Sequence, residues 1–324
     1  MARATTIVQK VNDAFPLYGA QTTLGTPVVP ATRWDPVTGG EVYLRPNTQT
    51  DRFVGARVYR RGGIIRAGID NLEFRPRNAT ILEMAVRGSS SDPTGEWAYD
   101  GQVQANTIYA GSTQECVQLD WAKINTLELT QEYPADGDDL PLTATANIVA
   151  ATGVVATTGL TKQPAETLPT LQGWQSEVTL SGIVAGARIR RWRLYINNNI
   201  SYMTYGDISS ANRYASELRE GEEEVEFELD VEIPVSWAAA ANNDYNAVCY
   251  TPGPISGTIV YTNNCTGGSP QTTTLMLSNL VLAEDQGFSE PYEAEGADRE
   301  PVKVFTFKFV KNDPTLISFA AVTA

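Results

Sequence analysis

The sequence predicts a mainly β protein of two packed antiparallel sheets, a β-sandwich or barrel, with one flanking α-helix. Three observations lead to this fold class. Short segments rich in Val, Ile, Thr and aromatic residues recur along most of the 324-residue chain, separated by clusters of Gly, Pro and Asn. Only one segment has clear helical periodicity. Hydrophobic residues make up 42% of the chain, which is enough for an extensive core.

The beginning of the chain differs from the rest. It is rich in Thr, Pro and Gly and lacks the spacing of an amphipathic helix, so residues 1–36 are predicted to form an extended arm. A segment without a core of its own is expected to become ordered only where it lies on a partner. Residues 37–324 are then predicted to form a single β domain.

Strands and loops alternate along this domain. Residues 35–60 and 200–220 are expected to be loops that are long for simple connections in a compact β domain. A Thr/Pro-rich connection at 151–172 and a hairpin at 244–268 are predicted as insertions. The predicted strands cover residues 62–74, 110–133, 142–150, 176–183, 187–199, 219–233, 272–284 and 301–313, and residues 246–265 are predicted to form a hairpin broken at Pro252-Gly253-Pro254.

One segment, RNATILEMAVRG at 77–88, is predicted to be a helix. Asn78 or Thr80 is expected to cap its start, and Gly88 is expected to end it. The apolar side of this helix is expected to comprise Ile81, Leu82, Ala85 and Val86.

The stretch REGEEEVEFELDVEI at 219–233 alternates carboxylates with apolar residues. Because successive side chains on a strand point to opposite faces, it predicts a strand with one buried face and one acidic face. Neighbouring carboxylates repel, so this pattern costs stability unless something compensates. The apolar face comprises Val225, Phe227, Leu229, Val231 and Ile233. The acidic face comprises Glu224, Glu226, Glu228, Asp230 and Glu232.

Composition narrows the possible chemistry. The chain has no histidine, which excludes Ser-His-Asp and Cys-His catalysis and histidine metal ligation. Its three cysteines form no CxxC pair, so buried free thiols are favoured over a zinc site or a thiol enzyme. The net charge of -14 argues against an ordinary nucleic-acid-binding protein. The sequence has no apolar run of membrane-spanning length, and its start lacks the apolar core of a secretory signal.

Several segments resemble the major tail tube proteins of long-tailed bacteriophages. LYGAQTTLGTPVVPATRW, at 17–34, is similar to an arm that in this family often reads G-x-x-T-x-x-G-T-P-x-x-P. RRGGIIRAGIDNLEF resembles the first core strand, which has a helix behind it, and ARIRRWRLYINNNI resembles a strand that ends in an Asn turn. EEEVEFELDVEIP and TTTLMLSNLVLAE are similar to the strand that follows and to a late strand. The resemblance spans most of the chain.

The resemblance implies a structural virion protein and not an enzyme. It implies two packed sheets with a flanking helix, subunits that form hexameric rings, and rings that stack into a tube conducting viral DNA. The expected partners are other copies of the chain, the tape measure, tail terminator and distal tail proteins, and DNA that passes without specific binding. No cofactor, metal or membrane is expected. The protein is expected in the virion tail after synthesis in the host cytoplasm.

The resemblance gives the acidic strand an expected role. In a tube, Glu224, Glu226, Glu228, Asp230 and Glu232 are predicted to line the lumen and to repel phosphates. Two alternatives remain open: a solvated outer face, or pairing with arginines of a neighbouring strand, for which Arg188 and Arg190 are candidates. A cation site is disfavoured because the segment lacks a carbonyl-rich loop.

Contacts between subunits are expected elsewhere in the chain. Arg60, Arg61 and Arg66 are predicted either to bridge subunits or to be ordinary surface arginines. At least one of the two long loops is expected to contact another subunit.

Other functions also remain open. One is a different virion structural protein, such as a capsid decoration or baseplate protein. Another is a carbohydrate-binding or glycosidase-like β-sandwich, which needs two carboxylates across a cleft. Glu115, Asp120 and Glu128 are the candidates for such a pair. Six tryptophans are scattered along the chain, and burial in the core or at interfaces is expected for them rather than a shared sugar-binding platform.

Overall fold

The structure is a computed structural model of the chain. It describes residues 5–6, 16–30, 32–51, 59–87, 103–111, 116–133, 140–156, 169–181, 188–203, 215, 217–234, 254–263, 271–283 and 302–323. These residues form sixteen strands, one α-helix and a 3-10 turn at Gly173–Gln175. The strands are Thr5–Thr6 (β1), Leu17–Ala20 (β2), Thr32–Arg33 (β3), Val37–Asp51 (β4), Tyr59–Phe74 (β5), Asn106–Gly111 (β6), Cys116–Glu132 (β7), Thr143–Ala156 (β8), Ser176–Leu180 (β9), Arg188–Asn197 (β10), Ser201–Met203 (β11), Glu217–Arg219 (β12), Glu224–Pro234 (β13), Ile255–Asn263 (β14), Gln271–Leu282 (β15) and Val302–Thr323 (β16). The helix α1 spans Thr80–Glu83.

Fourteen of these strands belong to one antiparallel sheet, and β11 and β12 form a small second sheet. The large sheet forks at β7. β8 runs along one side of β7; on the other side, its first half pairs with β6 and its second half pairs with β10. One branch contains β6, β2 and β3, and the other contains β10, β13, β16, β15, β14 and β9. The prediction of a mainly β, antiparallel fold with one helix is confirmed.

The first branch curls around an aromatic core. The ring of Trp34 lies edge-on to the rings of Tyr18 and Phe74, at centroid distances of 5.5 and 5.7 Å. Only residues 34–36 separate β3 from β4. The end of this branch therefore lies close to β4, which is near the other end of the sheet order. β2 and Trp34 belong to the segment predicted as an arm. In the structure they are buried against their own domain.

The second branch curls back onto β7. The Tyr133 hydroxyl, just beyond β7, lies 2.7 Å from the Ser176 hydroxyl at the start of β9. The Tyr261 hydroxyl of β14 donates to Gln131 Oε1 at 3.3 Å. Rings from β10, β13 and β16 fill the interior, with centroid distances between 6.1 and 6.4 Å. These rings belong to Trp192, Phe227, Phe307 and Phe309. The layers expected from the sequence are therefore parts of one curled sheet around a continuous core.

The helix α1 is shorter than the predicted span of 77–88. Its N-cap is Ala79, not Asn78 or Thr80, and no side-chain hydrogen bond caps it. Next to it, Asn78 Oδ1 accepts a hydrogen bond from the Thr80 N–H at 2.9 Å. The four side chains predicted to be apolar and buried are all buried: Ile81, Leu82, Ala85 and Val86. The predicted end at Gly88 lies outside the described residues.

A buried asparagine binds the segment after α1 to the sheet. Asn198 is fully buried, and its Nδ2 donates to the carbonyls of Ala85 and Ile124 at 2.8 and 3.0 Å. The Arg87 guanidinium donates to the carbonyls of Asn198 and Gly221 at 2.9 and 2.6 Å. Because the Ala85 carbonyl is already satisfied by a side chain, the chain has less to gain from further helical turns.

The prediction of a loop at 35–60 is wrong for most of that range. Residues 37–51 form β4, which pairs with β5 from Val37 opposite Phe74 to Asp51 opposite Tyr59. Gly39, Gly40 and Pro46 resemble turn residues in the sequence, but three register shifts accommodate them within the strand. β5 pairs with β8 only from Ala67 onward, so the outer part of the β4–β5 hairpin extends beyond β8.

The other predicted connections are partly ordered strands. β8 continues to Ala156, within the predicted connection at 151–172. β11 and β12 pair with each other inside the predicted loop at 200–220. β14, the second half of the hairpin predicted at 244–268, pairs with both β15 and β9 and has buried Ile255 and Ile259. The first half of that hairpin lies outside the described residues.

A second, smaller core lies where β11 and β12 cover the outer side of β7 and β8. At its edge, the buried Lys123 Nζ lies 2.5 Å from Glu220 Oε1, and Glu220 Oε2 accepts from the Val103 N–H at 3.0 Å. The ion pair therefore anchors the segment after β12 to β7. The residues of this core are Val103, Val149, Ala151, Ile200 and Leu218, with Trp121 and Tyr202 packed against them.

Replacing Phe227 with Ala is expected to lower the free energy of unfolding by about 3–5 kcal/mol, because it leaves a cavity among the stacked rings. Urea denaturation measures this. Val29, with 88% of its surface exposed, is the control, and Val29→Ala is expected to change stability by less than about 0.5 kcal/mol. Equal losses in the two variants would contradict the packing described for β13.

Replacing Lys123 with Met is expected to cost about 3–5 kcal/mol of unfolding free energy, because it leaves the Glu220 carboxylate buried without its cation. Adding Glu220→Gln is expected to recover at least about 1 kcal/mol, since a neutral amide keeps an oxygen for the Val103 N–H. If the double variant is no more stable than Lys123→Met in urea denaturation, the pair is not an anchoring interaction.

Candidate functional site: a charge-paired sheet face

The strand β13 separates apolar from acidic residues as its sequence predicts. Val225, Phe227, Leu229 and Val231 are buried. The carboxylates lie on the opposite face, next to residues of β10 and β16; Glu228, for example, stands between Arg193 and Lys308 in the register. The side chain of Ile233 lies outside the described residues.

A bulge in β10 determines which arginines reach these carboxylates. Arg188 lies opposite Glu232 and Arg191 lies opposite Asp230, so one extra residue of β10 is accommodated between Ile189 and Arg191. In a regular strand, Arg188 and Arg190 would point to one face, and Arg191 and Arg193 to the other. The extra residue reverses this alternation, so all four arginines contact carboxylates on the same face.

The arginines and carboxylates form neighbouring groups of ion pairs along this face, here together called the charged ladder. Glu224, which is hydrogen-bonded to Asn197 and has no ion pair among the contacts described, is counted with them. Arg190 Nε lies 2.9 Å from Glu232, and Arg188 lies 3.9 Å from the same carboxylate. Arg191 binds both Glu228 and Asp230, the latter at 2.9 Å. The ladder comprises Glu128, Arg188, Arg190, Arg191, Arg193, Glu224, Glu226, Glu228, Asp230, Glu232 and Lys308. Its six carboxylates and five cations sum to a formal charge of -1.

The two ends of the ladder reach the neighbouring strands. Arg193 donates to both oxygens of Glu128 on β7, at 2.7 and 3.0 Å, and these hydrogen bonds raise the pKa of the Arg193 guanidinium. On β16, Lys308 Nζ lies 2.9 Å from Glu226, and the Thr306 hydroxyl donates to Asp230 at 2.7 Å. The ladder therefore crosses four adjacent strands.

Exposure decreases along β13 from one end of the ladder to the other. The exposed fraction of the side chain falls from 36% for Glu226 to 16% for Asp230 and 11% for Glu232. Removing a carboxylate from water is costly unless it is paired, so the more buried members depend most on their arginines. Glu224 is exposed and is held by the Asn197 amide, which donates to its Oε2 at 3.0 Å.

The sequence predicted part of this arrangement. Pairing of Arg188 and Arg190 with the acidic strand, one of the two alternatives to a lumen-lining face, is observed. Four further members were missed: Arg191, Arg193, Glu128 and Lys308. The available signal was the order RIRRWR, in which arginines occupy both alternating positions of one strand. Such a pattern indicates a bulge when one face of the strand is buried. Whether the ladder faces a lumen remains a prediction.

The arginines predicted to bridge subunits and the carboxylates considered for a glycosidase-like site do not come together in the described part of the chain. Arg66 is exposed, with its guanidinium carbon 5.6 Å from the centre of the Tyr202 ring. The side chains of Arg60 and Arg61 lie outside the described residues, as does Glu115. Asp120 is buried and accepts a hydrogen bond from the Gln21 amide, whereas Glu128 belongs to the charged ladder.

The described tryptophans do not share a platform. Trp34 and Trp192 are buried in the two curled branches, and Trp121 packs against the smaller core. Trp174 is 63% exposed. Trp97 and Trp237 lie outside the described residues. Cys116 is buried, and burial raises the pKa of its thiol.

Comparison with protein-family models and with curated proteins finds no match for this chain. Among the residues that the structure describes, no group of three or more Cys, Asp or Glu side chains is placed to hold a metal ion. No described helix has the length and hydropathy needed to cross a membrane.

The charged ladder is suited to contact without strong attraction. Four of its five cations lie 2.7–2.9 Å from a carboxylate oxygen. Arg188, which is 79% exposed and 3.9 Å from Glu232, is held more loosely. Because the formal charge of the ladder is also small, it presents neither a basic patch nor a strongly acidic one. A face of this kind provides little counterion release to a polyanion, which is the main source of nucleic-acid affinity. It also lacks an unpaired acid or base for proton transfer among the ladder residues described.

Deleting Arg190 is expected to leave the protein folded, because the deletion removes the extra residue and keeps Arg188 and Arg191 opposite their carboxylates. The expected cost is about 1–3 kcal/mol for the lost charged hydrogen bond. Deleting Leu194 is the control. This deletion turns the side chains on one side of position 194 to the opposite face of the sheet, so that apolar side chains leave the core. It is therefore expected to abolish cooperative unfolding in urea. Loss of folding in both deletions would contradict the bulge.

Proposed function

We propose that this chain is a structural virion protein, the major subunit of a viral tail tube. Its subunits form hexameric rings that stack into a hollow tube, and viral DNA passes through the tube without specific binding. Other tail proteins, such as the tape measure, tail terminator and distal tail proteins, are the further partners. The protein acts in the virion tail after synthesis in the host cytoplasm.

The observation that best supports this proposal is where the family-like segments lie in the fold. The arm-like segment includes β2 and β3, and RRGGIIRAGIDNLEF lies within β5. ARIRRWRLYINNNI includes β10, EEEVEFELDVEIP includes β13, and TTTLMLSNLVLAE includes most of β15. All five segments contribute strands to the same large sheet, and β10 and β13, whose segments resemble consecutive strands, are adjacent in it.

The β4–β5 hairpin suits a contact between subunits. At its base, β5 pairs with β8 from Ala67 onward. Its outer part, residues 46–51 of β4 and 59–65 of β5, pairs only within the hairpin among the described elements. An isolated two-stranded ribbon is marginally stable in water and gains from packing on a partner. In a tube, the nearest such partner is another subunit of the same kind.

The charged ladder suits the wall of a DNA conduit. It lies on the outer face of β10, β13 and β16, and its cations are engaged by carboxylates of the same chain. Repeated around a ring, this face would form a wall with a small charge per subunit. Such a wall keeps phosphates mobile because the guanidinium groups of Arg190, Arg191 and Arg193 are already paired with carboxylates.

A different virion structural protein remains the second candidate, since a decoration or baseplate protein also needs a stable β domain with surfaces for neighbours. The described structure favours a carbohydrate-binding or glycosidase-like function less than either of these structural roles. Of the carboxylates considered for it, Asp120 is hydrogen-bonded in the interior and Glu128 is bound to Arg193 through both oxygens. The described tryptophans do not line one surface.

Purified protein is expected to form rings or tubes in negative-stain electron microscopy. Replacing residues 47–64 with an Asn-Gly turn shortens the β4–β5 hairpin to the part covered by β8 or close to it. This variant is expected to keep its thermal unfolding midpoint within a few degrees and to lose long tubes. Discrete monomers of the full-length protein would count against a tail tube, and long tubes from the shortened variant would show that the hairpin is not a subunit contact.

A further inference from the structure

The arginines of β10 occupy an arrangement that would bind phosphate if the carboxylates were absent. Four guanidinium groups lie on one face within Arg188–Arg193, a span of about 20 Å or less at strand spacing. Guanidinium groups bind carboxylate and phosphate with the same planar fork of N–H donors. Clustered arginines on an accessible surface are therefore a typical nucleic-acid contact.

In this chain, three of these four arginines are already engaged, and Arg188, 79% exposed and 3.9 Å from Glu232, is the loosely held one. Arg191 donates through Nε to Asp230 and through a terminal nitrogen to Glu228. Arg193 donates through two nitrogens to Glu128, and Arg190 Nε faces Glu232. The partner carboxylates are held in turn by the strand register and, for Asp230, by the Thr306 hydroxyl. A phosphate would have to displace a positioned carboxylate to gain the same bonds.

We propose that the carboxylates of β13 mask a latent phosphate-binding face on β10. Glu228 and Asp230 are the principal masking groups, because together they occupy the fork of Arg191, the arginine at the centre of the ladder. The ligand excluded is a nucleic-acid backbone, specifically that of double-stranded DNA. The relevance to DNA passage rests on the proposed tail tube function, but the masking is a property of the individual subunit.

Masking differs from simple repulsion in what it predicts for charge. Repulsion by the net charge of -14 depends on how many carboxylates the whole chain carries, wherever they lie. Masking depends on the carboxylates that touch the arginines. Two variants with the same change in net charge therefore separate the two mechanisms.

The test uses the full-length protein and a fluorescent 20-base-pair DNA duplex in anisotropy titrations at 50 and 200 mM NaCl. Glu228→Gln/Asp230→Asn is the unmasked variant. Glu73→Gln/Glu177→Gln is the matched control, because it removes two exposed carboxylates outside the ladder. Circular dichroism and urea denaturation establish that each variant is folded. If the double replacement does not fold, Glu228→Gln alone is compared with Glu177→Gln.

The unmasked variant is expected to bind the duplex at least tenfold more tightly than the control, with affinity falling steeply between the two salt concentrations. Adding Arg191→Gln to the unmasked variant is expected to remove most of that gain. Equal affinity in the unmasked and control variants would overturn the proposal, as would a gain that survives loss of Arg191. Failure of the wild-type protein to form tubes would count against the proposed function and leave this result unaffected.

Discussion

The carboxylates of β13 that are largely removed from water, above all Asp230 and Glu232, must be neutralised for the second branch of the sheet to form. The same strand carries Phe227 and Leu229 at the centre of the core, so its acidic side chains cannot be moved away without exposing apolar ones. The bulge at Arg190 supplies the neutralising charges, because it places four arginines of β10 on the same face of the sheet as these carboxylates. Charge pairing on one side of β13 and ring packing on the other are therefore consequences of a single strand register.

Local periodicity was enough to predict the fold class and the faces of two segments. In β13 the strict alternation of Glu with Val, Phe and Leu identified the buried side chains. The spacing of Ile81, Leu82, Ala85 and Val86 did the same for α1 and the turn that follows it. These predictions succeed because burial of a regular element depends mainly on the period of its own side chains. The acidic face itself was predicted, but most of its partners were not.

The features that were missed depend on irregular backbone or on distant residues. The Gly-Gly and Pro positions of β4 resemble a loop, but they lie in a strand because three register shifts absorb them. Trp121 adopts a positive φ of 53°, and the Gln21 side chain, about a hundred residues earlier, accepts a hydrogen bond from its N–H at 2.9 Å. Such pairings are set by the tertiary structure, so a local pattern does not contain them. The end of α1 is a similar case, since the Ala85 carbonyl just beyond it is bound by the distant side chain of Asn198.

A double-mutant cycle between Arg191 and Asp230 tests the central claim most directly. Arg191→Met, Asp230→Asn and the double variant are compared with the wild-type protein by urea denaturation at 50 mM and 1 M NaCl. If charge pairing across the bulge stabilises the sheet, the coupling energy is expected to be about 1–2 kcal/mol at low salt and smaller at high salt. Additive effects within about 0.3 kcal/mol would show that the two side chains do not interact, and would contradict charge pairing between β10 and β13 as the interaction that stabilises this branch of the sheet.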